Sequence, residues 1–139
     1  MYLLDTNVVS ELRRRNRAHP DVLAWAESVS SADLRLSVVT ALELDLGRRL
    51  LARKDPEQAD RLALWIDRTL QSQPVLPVDL AVARKAAELH VPNPRDPRDA
   101  LIAATALIHR LTVVTRNVRD FEPTGVPLLD PWSFGGPAG

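Results

Sequence analysis

The segment YLLDTN, residues 2–7, places a short apolar strand directly before an aspartate, Asp5. Further short apolar runs follow along the chain, separated by segments that we expect to be helical. These runs lie at residues 34–39, 75–78, 112–114 and 126–129. Strands that alternate with helices predict a doubly wound α/β sandwich of three layers, with a mostly parallel central sheet and helices on both faces.

Length and composition limit the class of protein. The 139 residues suit one domain, which we expect to span residues 1–132, with a disordered tail at residues 133–139. Eighteen basic and eighteen acidic residues cancel, so net charge does not indicate a nucleic-acid partner. The absence of cysteine excludes disulfides and Cys-ligated metal sites. No apolar run approaches the roughly 20 residues that span a bilayer, so we expect a cytoplasmic protein without membrane contact.

Capping residues and prolines indicate where the first helices begin. The sequence predicts helices at Val8–Arg15, capped by Thr6 or Asn7, and at Pro20–Ser28. Thr40 is expected to cap the next helix. That helix carries a leucine stripe that we expect in the core: Leu42, Leu46 and Leu50.

The later helices have clearer start points. Asp55 and Pro56 begin a helix with apolar residues at helical spacing, and Asp79 caps the following one. The expected inward residues of these two helices are Ala59, Leu62, Ala63, Ile66 and Leu70 in the first, and Val82, Ala83, Ala86 and Leu89 in the second. A proline-broken loop then leads to a helix at Asp99–His109.

Four acidic residues are placed where a parallel sheet would bring them together. Asp5, Glu43 and Asp120 follow apolar runs, and Asp99 begins an almost wholly apolar helix. The carboxyl ends of parallel strands share one edge, where ligands bind. Carboxylates gathered there repel each other unless a cation holds them, and oxygen-only ligation favours Mg²⁺ or Mn²⁺. The set predicts a metal-dependent phosphoryl-transfer site.

Each carboxylate also has a structural interpretation when it is taken alone. Asp5 and Asp99 can cap or favour helix N-termini, Glu43 can be an exposed helix residue, and Asp120 can pair with Arg116. The joint placement of the four at strand ends favours the functional interpretation.

Short polar residues lie at the same strand ends: Thr6, Asn7, Thr115 and Asn117. They can serve as turn and cap residues or can orient the carboxylates of a metal site. We expect Asn7 and Asn117 to be mainly structural and Thr115 to face the metal or a phosphate.

Other residues of possible chemical interest lack a ligand pattern. The three histidines, His19, His90 and His109, share no metal-ligand spacing and are expected at the surface or in caps. Trp132 is expected to pin the C-terminal segment. Basic residues flank two of the acidic positions, and of these we expect Arg98 and Arg116 to contact a nucleic-acid backbone.

An ordered set of motifs resembles one family along nearly the whole chain. The matching strings are LLDTNVVSEL at residues 3–12, SVVTALELDLG at 37–47, RDALIAATA at 98–106 and VVTRNVRDFEPTGVPLLDPW at 113–132. Together they resemble PIN-domain ribonucleases, and within them the VapC/FitB-like toxins of toxin–antitoxin systems. The four acidic positions of that family correspond to Asp5, Glu43, Asp99 and Asp120, and its polar helper to Thr115.

The resemblance implies a Mg²⁺- or Mn²⁺-dependent endoribonuclease that forms a homodimer and is blocked by a small antitoxin. The resemblance also implies that Asp5, Asp99 and Asp120 of this chain are the metal ligands and that all four acids are catalytic. The alternatives are a receiver-type phosphoacceptor and a binding module. A receiver-type phosphoacceptor needs a lysine near the last strands, but the last lysine here is Lys85. A binding module that acts with its antitoxin on DNA and cleaves little does not need an intact set of four carboxylates.

Overall fold

The computed structural model describes residues 1–135, and residues 136–139 of the expected disordered tail lie outside that range. Its centre is a five-stranded sheet in the order β3-β2-β1-β4-β5. All of its strand pairs are parallel. The strands are β1 (Tyr2–Leu4), β2 (Leu34–Ser37), β3 (Val75–Leu76), β4 (Thr112–Val114) and β5 (Leu128–Leu129).

Seven α-helices of residues 1–135 connect and cover these strands. They are α1 (Thr6–Arg13), α2 (Pro20–Ser28), α3 (Val38–Ala52), α4 (Pro56–Ser72), α5 (Leu80–Leu89), α6 (Pro97–His109) and α7 (Val118–Phe121). None of these helices is long and apolar enough to cross a lipid bilayer. The parallel strand pairs and the helices between them confirm the predicted α/β class.

The core has two halves, one on each face of the sheet, because successive strand residues point to opposite faces. Leu3 and Val113 pack on one face with Ile102 of α6. Their neighbours Leu4 and Val114 pack on the other face, in a cluster that includes Trp25. This alternation produces the three predicted layers.

The strand order creates a crevice beside β1. After β1 the chain builds β2 and β3 on one side, and it then crosses to add β4 and β5 on the other. Ligands of open parallel sheets bind at such a switch point, outside the carboxyl ends of the strands. Asp5 lies there, since it directly follows β1 and its N–H donates to the Val114 carbonyl over 2.9 Å.

The orientation of α3 differs from the sequence prediction. Leu42, Leu46 and Leu50 are 54%, 39% and 56% exposed, so the expected core stripe was wrong. The helix instead buries Val39, Thr40 and Leu44. Helical periodicity identifies residues that share a face, but only the packing of other elements decides which face is covered.

Several helix caps also differ from those expected. Asp5 caps α1, in place of Thr6 or Asn7, and Ser37 caps α3, which leaves Thr40 buried inside the helix. Helix α6 begins at Pro97 after Asp96, two residues before the expected start. In α5, Val82 and Ala86 are buried as expected, whereas Ala83 is exposed.

Other boundaries agree with the sequence. Helix α2 runs from Pro20 to Ser28, and Asp55 caps α4 through the Gln58 N–H over 3.1 Å. Strands β2, β3 and β5 are each shorter than the apolar runs that predicted them.

Candidate active site

Asp5 is the buried centre of the candidate site. Its side chain is 6% exposed. Oδ1 accepts from the Thr6 N–H over 2.8 Å, and Oδ2 accepts from the Thr115 hydroxyl over 2.8 Å and from Asn7 Nδ2 over 3.3 Å. Burial raises the pKa of Asp5, hydrogen bonds from Thr115 and Thr6 oppose the rise, and nearby carboxylates add to it. Asp5 is therefore both a helix cap and an oriented carboxylate at the crevice.

Glu43 reaches the site from the second turn of α3. Its Oε1 accepts from the Thr6 hydroxyl over 2.8 Å, so a residue next to β1 fixes a carboxylate from a different helix. The Thr6 hydroxyl oxygen also lies 3.1 Å from that of Thr40, which is fully buried. The sequence predicts only a capping role for Thr40, although Thr40 and Glu43 lie three residues apart and share a helix face.

Asp99 is freed from capping by its neighbour. Asp96 Oδ1 accepts from the N–H groups of Arg98 and Asp99 over 2.9 and 3.2 Å, so Asp96 is the cap of α6. The pKa of Asp99 is raised to about 6, first by burial and then by the charges of Asp96, Asp5, Asp120 and Glu43. Asp99 thus carries a carboxylate that its surroundings repel.

Asp120 lies in α7 and is exposed. Its charge helps to raise the pKa of both Asp5 and Asp99, which places it within electrostatic range of them. The expected alternative, a pair with Arg116, is absent from the ion pairs of residues 1–135.

The four carboxylates share one electrostatic field but do not converge on one point. Among residues 1–135, no three His, Asp or Glu side chains form a compact cluster with metal-ligand geometry. The chemistry of the donors nevertheless fits a hard divalent cation, because all are carboxylate oxygens and two have pKa values raised partly by mutual repulsion. A cation of this kind would relieve that repulsion.

The polar neighbours mainly orient Asp5. Thr115 is fully buried, donates to Asp5 and accepts from the Asn117 N–H over 3.0 Å. Its hydroxyl therefore faces Asp5, and the expected contact with a metal or phosphate stays a prediction. Asn7 Oδ1 accepts from the Arg116 N–H over 3.3 Å, which joins the ends of β1 and β4.

The two expected RNA-binding arginines both lie at this edge. Arg98 Nη1 is 3.6 Å from Glu43 Oε2, and its side chain is 49% exposed. Arg116 is exposed, and its Cζ lies 5.2 Å from the centroid of the Trp132 ring. The histidines play the expected minor parts: His19 caps α2, and His90 Nδ1 accepts from the Arg95 N–H.

Comparison with known proteins agrees with this fold. The family model of the PIN domain matches residues 2–125. The toxin FitB of Neisseria gonorrhoeae is 37% identical over 139 residues, which cover 95% of this chain and 99% of FitB. The VapC ribonuclease Y4jK of Sinorhizobium fredii is 35% identical over 141 residues, with 95% and 98% coverage. The crystal structure of FitAcB from Neisseria gonorrhoeae superposes with a TM-score of 0.86 at 34% identity, covering 95% of this chain and 99% of that one.

The chain therefore belongs to the PIN-domain family. Within it, the full-length similarity to VapC and FitB proteins assigns the chain to the branch of toxin–antitoxin toxins.

Proposed function

We propose that this protein is a Mg²⁺- or Mn²⁺-dependent endoribonuclease and the toxin of a toxin–antitoxin pair. The observation that carries the proposal is the buried, oriented Asp5 within electrostatic range of Asp99, whose pKa is raised by burial and by four neighbouring carboxylates. The family membership supports the same chemistry. The proposed catalytic residues are Asp5, Glu43, Asp99 and Asp120.

The residues divide into ligands and orienting groups. Asp5, Asp99 and Asp120 would hold the metal, Asp5 and Asp99 directly and Asp120 through bound water. Glu43 would also act through bound water. When bound, the metal supplies polarisation of a phosphate oxygen and activation of water for in-line attack. Thr115 and Asn7 fix Asp5, and Thr6 fixes Glu43.

The arginines at the edge supply the positive charge that an RNA backbone requires. The Arg98 side chain pairs loosely with Glu43 at 3.6 Å, and a pair that is this exposed is worth roughly 0–1 kcal/mol. Arg98 can therefore leave Glu43 for a phosphate at small cost. Arg116 has no carboxylate partner among residues 1–135 to leave.

The test is cleavage of total RNA by the purified protein. We expect cutting with Mg²⁺ or Mn²⁺, none with EDTA, and products with 5′-phosphate and 3′-hydroxyl ends, as the family implies. Cutting that persists in EDTA, or 2′,3′-cyclic phosphate ends, would refute the proposed mechanism.

A small antitoxin is the proposed protein partner. An apolar groove of about 620 Å³ runs between α1, α2 and α4 on one face of the sheet. Its lining includes Leu12, Leu23 and Trp65, with Arg15 and Glu27 as its charged groups. This combination suits an amphipathic segment of a partner. Co-expression with the product of a small neighbouring reading frame should yield a complex that does not cut RNA.

A second copy of the chain is the other proposed partner. The leucine stripe of α3 (Leu42, Leu46 and Leu50) is exposed, and so are Leu64 of α4 and Leu80 of α5. The exposed aliphatic residues therefore lie on three helices, α3, α4 and α5. Burial of such a surface is what drives homodimer formation.

The alternative function is a weakly catalytic module that acts with its antitoxin on DNA. A similar solved structure is that of FitAB bound to an IR36 DNA fragment, so that protein forms a complex with DNA. The two proposals are separated by the cleavage assay, since a binding module would bind nucleic acid and leave RNA intact in Mg²⁺.

A further inference from the structure

Arg116 lies beside the acidic edge, which is the carboxyl edge of the sheet with Asp5, Glu43, Asp99 and Asp120. Its backbone holds it there. It follows Thr115, whose hydroxyl donates to Asp5 Oδ2 over 2.8 Å, and its own N–H donates to Asn7 Oδ1 over 3.3 Å. Its side chain is exposed, and no carboxylate of residues 1–135 lies within 4.0 Å of its guanidinium. An ion pair therefore does not fix the direction of this side chain.

The side chain of Arg116 instead contacts the indole of Trp132. The Arg116 Cζ lies 5.2 Å from the ring centroid. Trp132 belongs to the 3₁₀ turn Pro131–Ser133, which begins two residues after the end of β5. The backbone N–H of Trp132 donates to Asp130 Oδ1 over 2.9 Å. The indole is partly buried against the core cluster that contains Trp25. Because β5 is parallel to β4, both partners leave the sheet at the edge where the carboxylates lie.

Stacking holds an arginine differently from an ion pair. The aromatic face attracts the positive charge of the guanidinium without a carboxylate, so the contact does not use the N–H donors in an ion pair. A carboxylate partner would occupy those donors and cancel the charge. Arg116 thus keeps its full charge and its donors while its side chain is restrained.

We infer that Trp132 is a positioning residue for RNA binding: its indole holds the Arg116 guanidinium at the acidic edge, where Arg116 binds a phosphate next to the bond that is cleaved. This inference rests on the proposed ribonuclease function. A fixed arginine has less side-chain entropy to lose when the phosphate binds, so the stack should lower the KM for RNA without changing the chemical step.

The experiment measures kcat and KM for cleavage of a short RNA in Mg²⁺ by Trp132→Leu, Trp132→Phe, Arg116→Ala and the double variant Trp132→Leu/Arg116→Ala. An exposed cation–π contact corresponds to about a two- to fivefold effect, so Trp132→Leu should raise KM by that factor with kcat unchanged. Trp132→Phe keeps an aromatic face and should restore most of the loss. In the Arg116→Ala background, Trp132→Leu should have no further effect on KM.

A matched control lies elsewhere in the molecule. Arg13 stacks on Trp65 with a Cζ-to-centroid distance of 5.7 Å, between α1 and α4. Arg13→Ala removes a stacked arginine of similar geometry and should leave KM within about twofold of the wild type.

Several results would overturn the inference alone. An unchanged KM in Trp132→Leu would do so, as would the same rise in KM with and without Arg116, which would mean that the indole stacks directly on a base. A fall in kcat and melting temperature with KM unchanged would reduce Trp132 to a structural residue.

In the free protein, ¹⁵N-edited NMR should find the Arg116 Nε–H shifted upfield by the indole in the wild type but not in Trp132→Leu. A wild type without that shift refutes the stack and leaves the ribonuclease proposal intact, whereas a wild type that cleaves no RNA overturns both.

Discussion

Replacing Asp99 with asparagine should stabilise the metal-free protein near neutral pH. Burial and four neighbouring carboxylates raise the pKa of Asp99 from 3.8 to about 6. At about 1.4 kcal/mol per pKa unit, the rise from 3.8 to about 6 corresponds to at most about 3 kcal/mol. Because Asp99 is only partly buried, solvent screening reduces this to about 1 kcal/mol.

The sign follows from proton binding. Between pH 4 and 6 the folded state keeps a proton on Asp99 that the unfolded state has lost, so the free energy of unfolding falls as pH rises through this range. Below pH 4 both states are protonated and the term vanishes. The asparagine variant lacks this titration, so its advantage over the wild type should be absent at pH 4 and complete above about pH 6.

The assay is thermal and urea unfolding of both proteins in EDTA, from pH 4 to pH 8. Above pH 6 the variant should melt about 4 °C higher, the shift expected for about 1 kcal/mol in a domain of this size. Mg²⁺ should then stabilise the wild type more than the variant, because a ligand stabilises the state that binds it.

The control is Asp45→Asn. Hydrogen bonds from Arg49 and Arg48 lower the pKa of Asp45, which is the opposite shift, so this variant should not gain stability at neutral pH. If Asp99→Asn melts at or below the wild-type temperature at pH 7.5, or if its advantage is equally large at pH 4, the account of a repelled carboxylate is wrong.

Three further predictions concern the orienting residues, the acids and the surface of α3. Thr115→Val should leave Asp5 without the 2.8 Å hydroxyl bond, cost about 1–3 kcal/mol in urea unfolding and lower kcat about 10- to 100-fold; full activity would exclude the orienting role. Conservative replacement of each acid should lower the rate of RNA cleavage without unfolding the protein, most severely at Asp5 and Asp99, and melting curves would expose any variant that is inactive because it is unfolded. The variants are Asp5→Asn, Glu43→Gln, Asp99→Asn and Asp120→Asn. Leu46→Glu should reduce the mass measured by light scattering from twice the chain mass of 15.4 kDa to the mass of one chain. The control Gln71→Glu changes an exposed position at the end of α4 and should leave the mass unchanged. A wild type that is already monomeric would contradict the proposed dimer.

Some features of the site were predictable because they depend on short stretches of chain. Asp5 directly follows an apolar strand, and in a parallel sheet the end of that strand must lie at the shared carboxyl edge. Asp99 could be assigned to the first turn of α6 because the prolines and the apolar run around it fix the helix start closely. Asp96 supplies the cap itself, and the choice between these two aspartates required the observed bonds to the Arg98 and Asp99 N–H groups.

Other features depend on contacts between distant parts of the chain. The Thr6 hydroxyl reaches Glu43, and the Thr115 hydroxyl reaches Asp5, across 37 and 110 residues of sequence. The stack of Arg116 on Trp132 likewise depends on the pairing of β4 with β5. Sequence patterns identify the polar residues at strand ends, but they do not say which donor meets which acceptor.

The helix α3 illustrates the division most directly. The sequence determined that Leu42, Leu46 and Leu50 share one face of a helix, because helical periodicity is a local property of the backbone. The tertiary structure decided that this face is exposed and that Thr40 is buried beside the site, because burial depends on which elements pack against a helix. Local geometry thus specified the elements and the acidic edge, whereas packing between elements specified the hydrogen bonds and the surfaces left for partners.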